Sequence, residues 1–402
     1  MGRHSIINSK GHLIIGSFLL LYACLNLSVI RCFSQDWKTV HDGVEYAEVT
    51  KEISGLNVNI NLLRLDLSKV KLNVIHANDK AIGMETTSSI ARRHNAIAAI
   101  NGGFFRLDKS QWAGDDVSTL MIGGRLISEP ASGRTALLIA NLSKITLAGF
   151  GRPIGGMELC CIQGKKIPIN GIDRERKDNE MILYGPEFGP STLTGSGGTE
   201  IIFKKCKVVC RDVVIDVGRG NNPIPIDGYV LSIGSKPSIE AERVIGVLRA
   251  TSVSKRPSFH IRFDGVNDTL IYKKEHFSPT EAVAGVPRLI KNGKVDITWQ
   301  EEKASRSFVE TRHPRTAVAK LKDGKFLLIT VDGRSESSGG IGLRDLADYL
   351  LSLGAVDALN MDGGGSTTMV LDGKVVNHPS DKEGERKIGD AMIVTPRILK
   401  RP

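Results

Sequence analysis

The chain has 402 residues, 41% of them hydrophobic and 24% charged, which is the balance of an ordinary globular protein with enough chain to bury a large core. Collagenous, disordered and disulfide-dense classes are excluded. No block of basic residues interleaved with aromatics appears, which argues against nucleic acid as a partner.

Residues 1–34 differ from the rest. Arg3 and Lys10 precede the apolar run GHLIIGSFLLLYACLNLSVI, and small residues follow near Ser34. This pattern predicts a secretory signal peptide cleaved near Ser34. Processing as a lipoprotein at Cys24 ranks next, and a retained membrane anchor after that. Each reading places residues 35–402 outside the cytoplasm, secreted, periplasmic or on the cell envelope, with membrane contact only through this leader. The leader holds three basic residues and no acid, so the remaining chain carries 51 basic minus 44 acidic residues, a net +7. Cys160, Cys161, Cys206 and Cys210 then remain. They allow three disulfide pairings, or stay as reduced core cysteines.

Taken in chain order, NVNINLLRLDLSKVKLNVIHAND predicts two strands joined at Asp66–Lys69, and a short helix over Thr87–His94 follows. The run AIAAI (Ala96–Ile100) reads as a strand covered on both faces and stops at NGGFF. Between about 134 and 246, glycine, proline and turn pairs predict many short strands whose order is not readable. RTAVAKLKDGKFLLITVDG predicts a hairpin of strands Thr316–Lys320 and Phe326–Val331 around Lys322-Asp323-Gly324. In GLRDLADYLLSLGA, Leu343, Leu346, Ala347, Leu350 and Leu351 share a helical face. Then come the strand VDALNMD, the triplet Gly363-Gly364-Gly365, and a second hairpin around Asp372-Gly373. The expected class is α+β: a mixed β-sheet core with a C-terminal β-α-β unit, few helices, and one large domain over residues 35–402.

A strand, a helix and a second strand most simply make a parallel crossover. Asp332 and Asp362 would end its two strands at one sheet edge, where such sheets bind ligands. Paired carboxylates at that separation suit glycoside cleavage, one acting on the leaving oxygen and the other as nucleophile or base. Glu336, in DGRSESSGG, is a third acid at the same edge. Against this stands the common use of Asp-Gly simply to close a turn. Arg315 and Arg134 open the apolar runs RTAVA and RTALLIA, and a guanidinium fork suits phosphate, with surface ion pairing as the alternative. Asn101 either binds sugar hydroxyls or holds its own turn. The glycine triplet lacks the lysine and spacing of a Walker loop, but its unshielded N–H groups, with Ser366 beside them, suit an anion. No motif demands a cofactor, and a divalent ion between the acids is compatible with the pattern.

At AAINGGFF, GVPRLIKNGKV, RTAVA and Val331–Asp381 the sequence resembles the phosphodiester glycosidase family. That resemblance implies hydrolysis of the bond between a sugar anomeric carbon and a phosphodiester. It implies a site drawing on Asn101, Gly102, Arg315, Asp332, Glu336, Asp362, Gly363, Gly364, Gly365 and Ser366. The segment Asn170–Gly189 resembles bacterial members, and no cysteine-rich segment or anchor follows the motifs. The substrate expected is therefore an envelope glycan phosphodiester, such as a teichoic-acid-like or capsular polymer. The same pocket without turnover would make an envelope carbohydrate-binding or exopolysaccharide-assembly protein.

Overall fold

A computed structural model describes residues 2, 35–131, 133–154, 157–160, 166–205, 212–237, 241, 243–244, 262–264, 270–272 and 275–398. The expected leader, Cys24, Cys161, Cys206 and Cys210 lie outside these residues, as does the Cys160 side chain. Residues 37–402 group as one compact unit, separate from 1–36. Among the described residues, no helix is long and apolar enough to cross a membrane.

Two sheets frame the site. The strands used below are β1 (Lys38–His41), β2 (Val44–Ile53), β3 (Leu56–Leu65), β4 (Val70–His76), β5 (Ala98–Asn101), β6 (Arg288–Lys291), β7 (Lys294–Val295), β8 (Arg315–Leu321), β9 (Phe326–Val331), β10 (Ala355–Asn360), β11 (Met369–Leu371), β12 (Lys374–Val375) and β13 (Asp390–Pro396). The first sheet has the order β1-β2-β3-β9-β8-β10-β6-β7, and the second β12-β11-β5-β13-β4. Glycine- and proline-rich residues between β5 and β6 build a further six-stranded sheet and a five-stranded sheet, ordered in a way that local sequence does not specify.

Alternation along the strands explains the apolar runs. In β8 and β9, Val318 and Leu328 pack into a core shared with Leu72, Ile100, Met369 and Met392 of the second sheet. Their neighbours Ala317, Ala319, Leu327 and Ile329 face the other way and pack with Leu343, Leu346, Ala347 and Leu350 of helix α3 (Leu343–Ser352). A strand covered on both faces has no polar side, so its sequence does not alternate. The short helices α1 (Thr87–Arg93) and α2 (Arg306–Glu310) are capped at their N-termini by Thr86 and Ser305 hydroxyls.

The expected crossover needs a correction. β9, α3 and β10 follow one another in sequence, but β8 lies between the two strands, antiparallel to both. The tight β8–β9 hairpin fixes that pairing, and β3 takes the other edge of β9, from Phe326↔Leu65 to Val331↔Ile60. The only strand edge left to β10 is that of β8. The core sheets are therefore not mixed between neighbours. The one parallel neighbour pair among the described strands joins Gly171–Ile172 to Met181–Tyr184, outside both.

Candidate active site

β9 and β10 run in the same direction, so Asp332 and Asp362 leave the sheet at one edge, with the start of β8 between them. Arg315 pairs with Val331, and Ala317 with Asn360. Two strand spacings, about 9–10 Å, separate the two chain exits.

Asp362 is half-buried. Its backbone N–H donates to Gly102 O at 3.1 Å, and its Oδ1 accepts from the Gly363 N–H at 2.9 Å. Burial pushes its carboxyl up to about 6. The Ser366 hydroxyl, the Gly363 amide and the Arg386 guanidinium pull it back, and Asp390 adds to the rise. This combination, a carboxyl lifted toward neutrality with a guanidinium near it, is an arrangement that acid–base or nucleophilic carboxylates use.

Asp332 is 2% exposed and held on both oxygens. Oδ1 accepts from Asn377 Nδ2 and from the His378 N–H, each at 3.1 Å. Oδ2 lies 3.1 Å from His378 Nδ1. The His378 side chain is 79% exposed, so its second ring nitrogen faces outward. Asn377 also donates to Thr367 O at 3.1 Å, which fastens this loop to the one that carries Asp362.

Arg315 departs from its expected place. Its guanidinium is buried and donates to Phe308 O at 2.6 Å, Thr311 O at 2.9 Å and Ile341 O at 3.3 Å. It also lies over the Phe308 ring at 4.8 Å. Strand alternation is the reason. Arg315 shares a face with Ala317 and Ala319, the side of α2 and α3, whereas Asp332 follows Val331 onto the face of the second sheet. Arg134 joins the same stack from outside, 5.8 Å above Phe104, which in turn packs edge-on against Phe308 at 6.0 Å.

The glycine triplet also differs from expectation. The Gly363 N–H is spent on Asp362, and the Gly364 N–H on Pro314 O at 2.9 Å. What the glycines provide is close approach. A Cβ on Gly365 would lie 2.1 Å from Arg386 Nη2 and 2.2 Å from Asp381 Oδ1. Those two groups form a bidentate pair at 2.7 and 2.9 Å. A Cβ on Gly364, at φ +62°, would lie 3.0 Å from Arg334 Nη2. Arg334 is exposed, and its Nη2 lies 3.3 Å from His313 Nδ1. Glu336 is exposed in the same loop.

Asn101 is buried where the two sheets meet. Its Nδ2 donates to Asp362 O at 2.8 Å, and its Oδ1 accepts from Thr316 Oγ1 at 2.7 Å and from the Thr368 N–H at 3.1 Å. With these bonds it ties β8, β11 and the Asp362 loop together. Asn101→Ala would leave a buried hydroxyl and a buried N–H without their acceptor, at about 1–3 kcal/mol each. The expected result is a stability loss of roughly 2–4 kcal/mol in denaturant unfolding. A loss below about 0.5 kcal/mol would contradict the clamp.

Arg334, Arg386, Asn377 and His378 were not singled out from the sequence. The Arg-Ser-Glu loop and the segment NHPSDKEGER carried no periodic signal to place them. Among the described residues, no trio of His, Cys, Asp or Glu is arranged to hold a metal ion. A cavity of about 250 Å³ opens elsewhere, beside His76, Ile122, Arg125 and Glu187, and contains none of the expected site residues.

Asp332 and Asp362 thus leave one sheet edge, with the Arg334 and Arg386 guanidinium groups packed over Gly364 and Gly365 beside them. Residues 206–395 match the model of the phosphodiester glycosidase family. The chain is 37% identical over 137 residues to bovine N-acetylglucosamine-1-phosphodiester alpha-N-acetylglucosaminidase, a match covering 31% of this chain and 26% of the bovine protein. The chain thus spans about a quarter of the length of that relative. An uncharacterized protein of Rickettsia conorii is 27% identical over 247 residues, covering 60% of this chain and 77% of its own. The fold resembles a hypothetical protein from Synechocystis, with TM-score 0.70 and 23% identity over 89% of this chain and 63% of the other. It also resembles a Burkholderia pseudomallei protein described as exported, with TM-score 0.67 and 23% identity over 86% and 75%.

Proposed function

We propose that the protein hydrolyses glycosyl-1-phosphodiesters outside the cytoplasm, releasing the sugar and leaving a phosphomonoester. The observation that carries this reading is the Asp362 carboxyl, pushed up to about 6 by burial and faced by Arg386, in a glycine loop over which Arg334 packs at Gly364. The family match supports the reaction class, and the leader-like residues 1–34 support the location.

The departing phosphomonoester is a good leaving group once its charge is met, so the site has little need of a strong general acid. Arg334, exposed beside Gly364, is a cation placed to meet it. Asp362 stabilises the oxocarbenium-like transition state or attacks the anomeric carbon. Asp332, filled on both oxygens, acts through His378, whose outer ring nitrogen takes the proton of the attacking water. Bacterial envelope polymers with sugar-phosphate linkages are the substrates proposed, on the strength of the segment Asn170–Gly189.

The test offers UDP-N-acetylglucosamine, a methyl-phospho-glycoside and an aryl glycoside to the purified protein and measures released sugar. Release from the phosphodiesters alone is expected. Cleavage of only the aryl glycoside would mark a conventional glycosidase. Glycan binding with no cleavage would mark a binding or polymer-assembly protein.

A further inference from the structure

Beside the Asp362 loop lies a patch of half-buried apolar surface that holds one unpaired cation, and the proposed mechanism uses neither. Phe104 follows the Gly102–Gly103 turn, whose Gly102 O takes the Asp362 N–H at 3.1 Å. Its ring packs edge-on against Phe308 at 6.0 Å, and both rings are half-buried. Phe308 borders the glycine loop through Arg315. Its O holds the Arg315 guanidinium, and the Arg315 Cα lies 3.6 Å from where a Cβ on Gly363 would stand. Val117, 45% exposed, is tied to the same segment by its N–H, which donates to Phe104 O at 2.8 Å.

Arg134 completes the patch, its guanidinium 5.8 Å from the centre of the Phe104 ring. The turn that carries it is fixed in place. The Arg134 N–H donates to Ala131 O at 3.3 Å, and the Ala131 N–H donates to Ser118 Oγ at 3.3 Å, one residue from Val117. The side chain is half-buried, and its guanidinium has no hydrogen-bond or ion-pair partner among the described residues. The acid that acts on it, Glu302, is engaged elsewhere. Glu302 is 1% exposed and accepts from the Thr135 N–H at 3.2 Å, the Thr135 hydroxyl at 2.9 Å, the Arg288 N–H at 3.1 Å and the Thr298 hydroxyl.

A guanidinium partly withdrawn from water, with only donors to offer, is costly until an anion meets it. Arg315 is engaged by three carbonyls and Arg386 by Asp381, and Arg334 is given to the phosphodiester that is cleaved. Arg134 is left without a counterpart. We propose that Arg134, Phe104, Phe308 and Val117 form a subsite for a second anionic group of the same substrate, carried by the sugar unit next to the one cleaved. The apolar wall takes the C–H face of that sugar, and the Arg134 fork takes its charge, either the phosphate of the next repeat or the carboxylate of a uronic acid. The substrate class is then a polyanionic glycan. For turnover this inference rests on the glycosidase reading, whereas the subsite itself stands on the unpaired cation and the apolar wall.

Four compounds test it. One is a methyl-phospho-glycoside of N-acetylglucosamine. The others extend its sugar by a neutral glucose, by a glucuronic acid, or by a second N-acetylglucosamine joined through a phosphodiester. At low salt, kcat/KM for one of the charged extensions is expected to exceed that for the neutral one by roughly ten- to hundredfold, and added salt should shrink the difference. The charged extension that leads names the anion. Arg134→Gln is expected to remove the preference for charge, and Arg134→Lys, which keeps the charge without the fork, to retain part of it. A merely structural Arg134 would lower all four compounds alike and leave the ratio of charged to neutral unchanged. Equal values for charged and neutral extensions in the wild type would overturn the proposal, as would an undiminished ratio in Arg134→Gln. If the unaltered protein cleaves no phosphodiester, the glycosidase reading fails, and calorimetric affinities for the same four compounds decide the subsite by the same ratio. If Arg134→Gln does not fold, Arg134→Lys against wild type decides it.

Discussion

Asp362→Asn is expected to lower turnover of a glycosyl-1-phosphodiester by about a hundred- to ten-thousandfold, the range over which a positioned carboxylate acts. The substitution keeps an oxygen for the Gly363 N–H, so the loop geometry is preserved. It removes the charge that the transition state needs. The wild-type rate should rise with pH through about 6, where this carboxyl ionises. Folding linkage runs the other way. A carboxyl raised above its unfolded value stabilises the fold at low pH and loses that contribution as pH rises through 6. At pH 8 the asparagine variant should therefore melt no lower than wild type. Full activity in a folded Asp362→Asn protein would remove Asp362 from the chemistry, and a variant that melts far lower would mean its main role is structural.

Arg334 and Arg315 should separate cleanly. Arg334→Ala removes an exposed guanidinium that bonds at the surface to His313, so folding should be unaffected. A lost charge-assisted contact of about 1.5–3 kcal/mol corresponds to a KM for phosphodiester substrates raised roughly ten- to hundredfold. Arg315→Ala should do the opposite. It empties a buried volume and leaves the Phe308, Thr311 and Ile341 carbonyls without their shared donor, at a stability cost of about 3 kcal/mol or more. Denaturant midpoints with KM values for both variants check the contrast. A KM effect at Arg315 in a protein of unchanged stability would restore it as the phosphate ligand.

That contrast shows what local sequence can and cannot reveal. The β8–β9 hairpin, the α3 face and the Asp372-Gly373 turn follow from patterns a few residues long, and they form where those patterns place them. Asp372 and Gly373 both adopt positive φ, as that tight turn requires. The insertion of β8 between β9 and β10 depends on β3 occupying the far edge of β9. That pairing spans more than 250 residues of chain and leaves no local mark. The placement of Arg315 is hidden from the sequence for a different reason. RTAVA reads apolar on both faces, so the sequence does not say which face the arginine joins. The two-residue period of the strand, once anchored by the core, turns it toward α2 and away from Asp332.

The glycine triplet was legible as a place of close approach, but not for what approaches. Its amides are largely spent within the loop, and the space left by the absent side chains is taken by Arg334, Arg386 and Asp381.

The central claim is that the bond broken lies between the anomeric carbon and oxygen, not between oxygen and phosphorus. Hydrolysis of a methyl-phospho-glycoside in ¹⁸O-labelled water, with mass analysis of the phosphomonoester, tests it most directly. The site described here, with a carboxylate for the sugar and guanidinium groups for the phosphate, predicts a phosphomonoester free of ¹⁸O. Label in the phosphate would show water attacking phosphorus and contradict it.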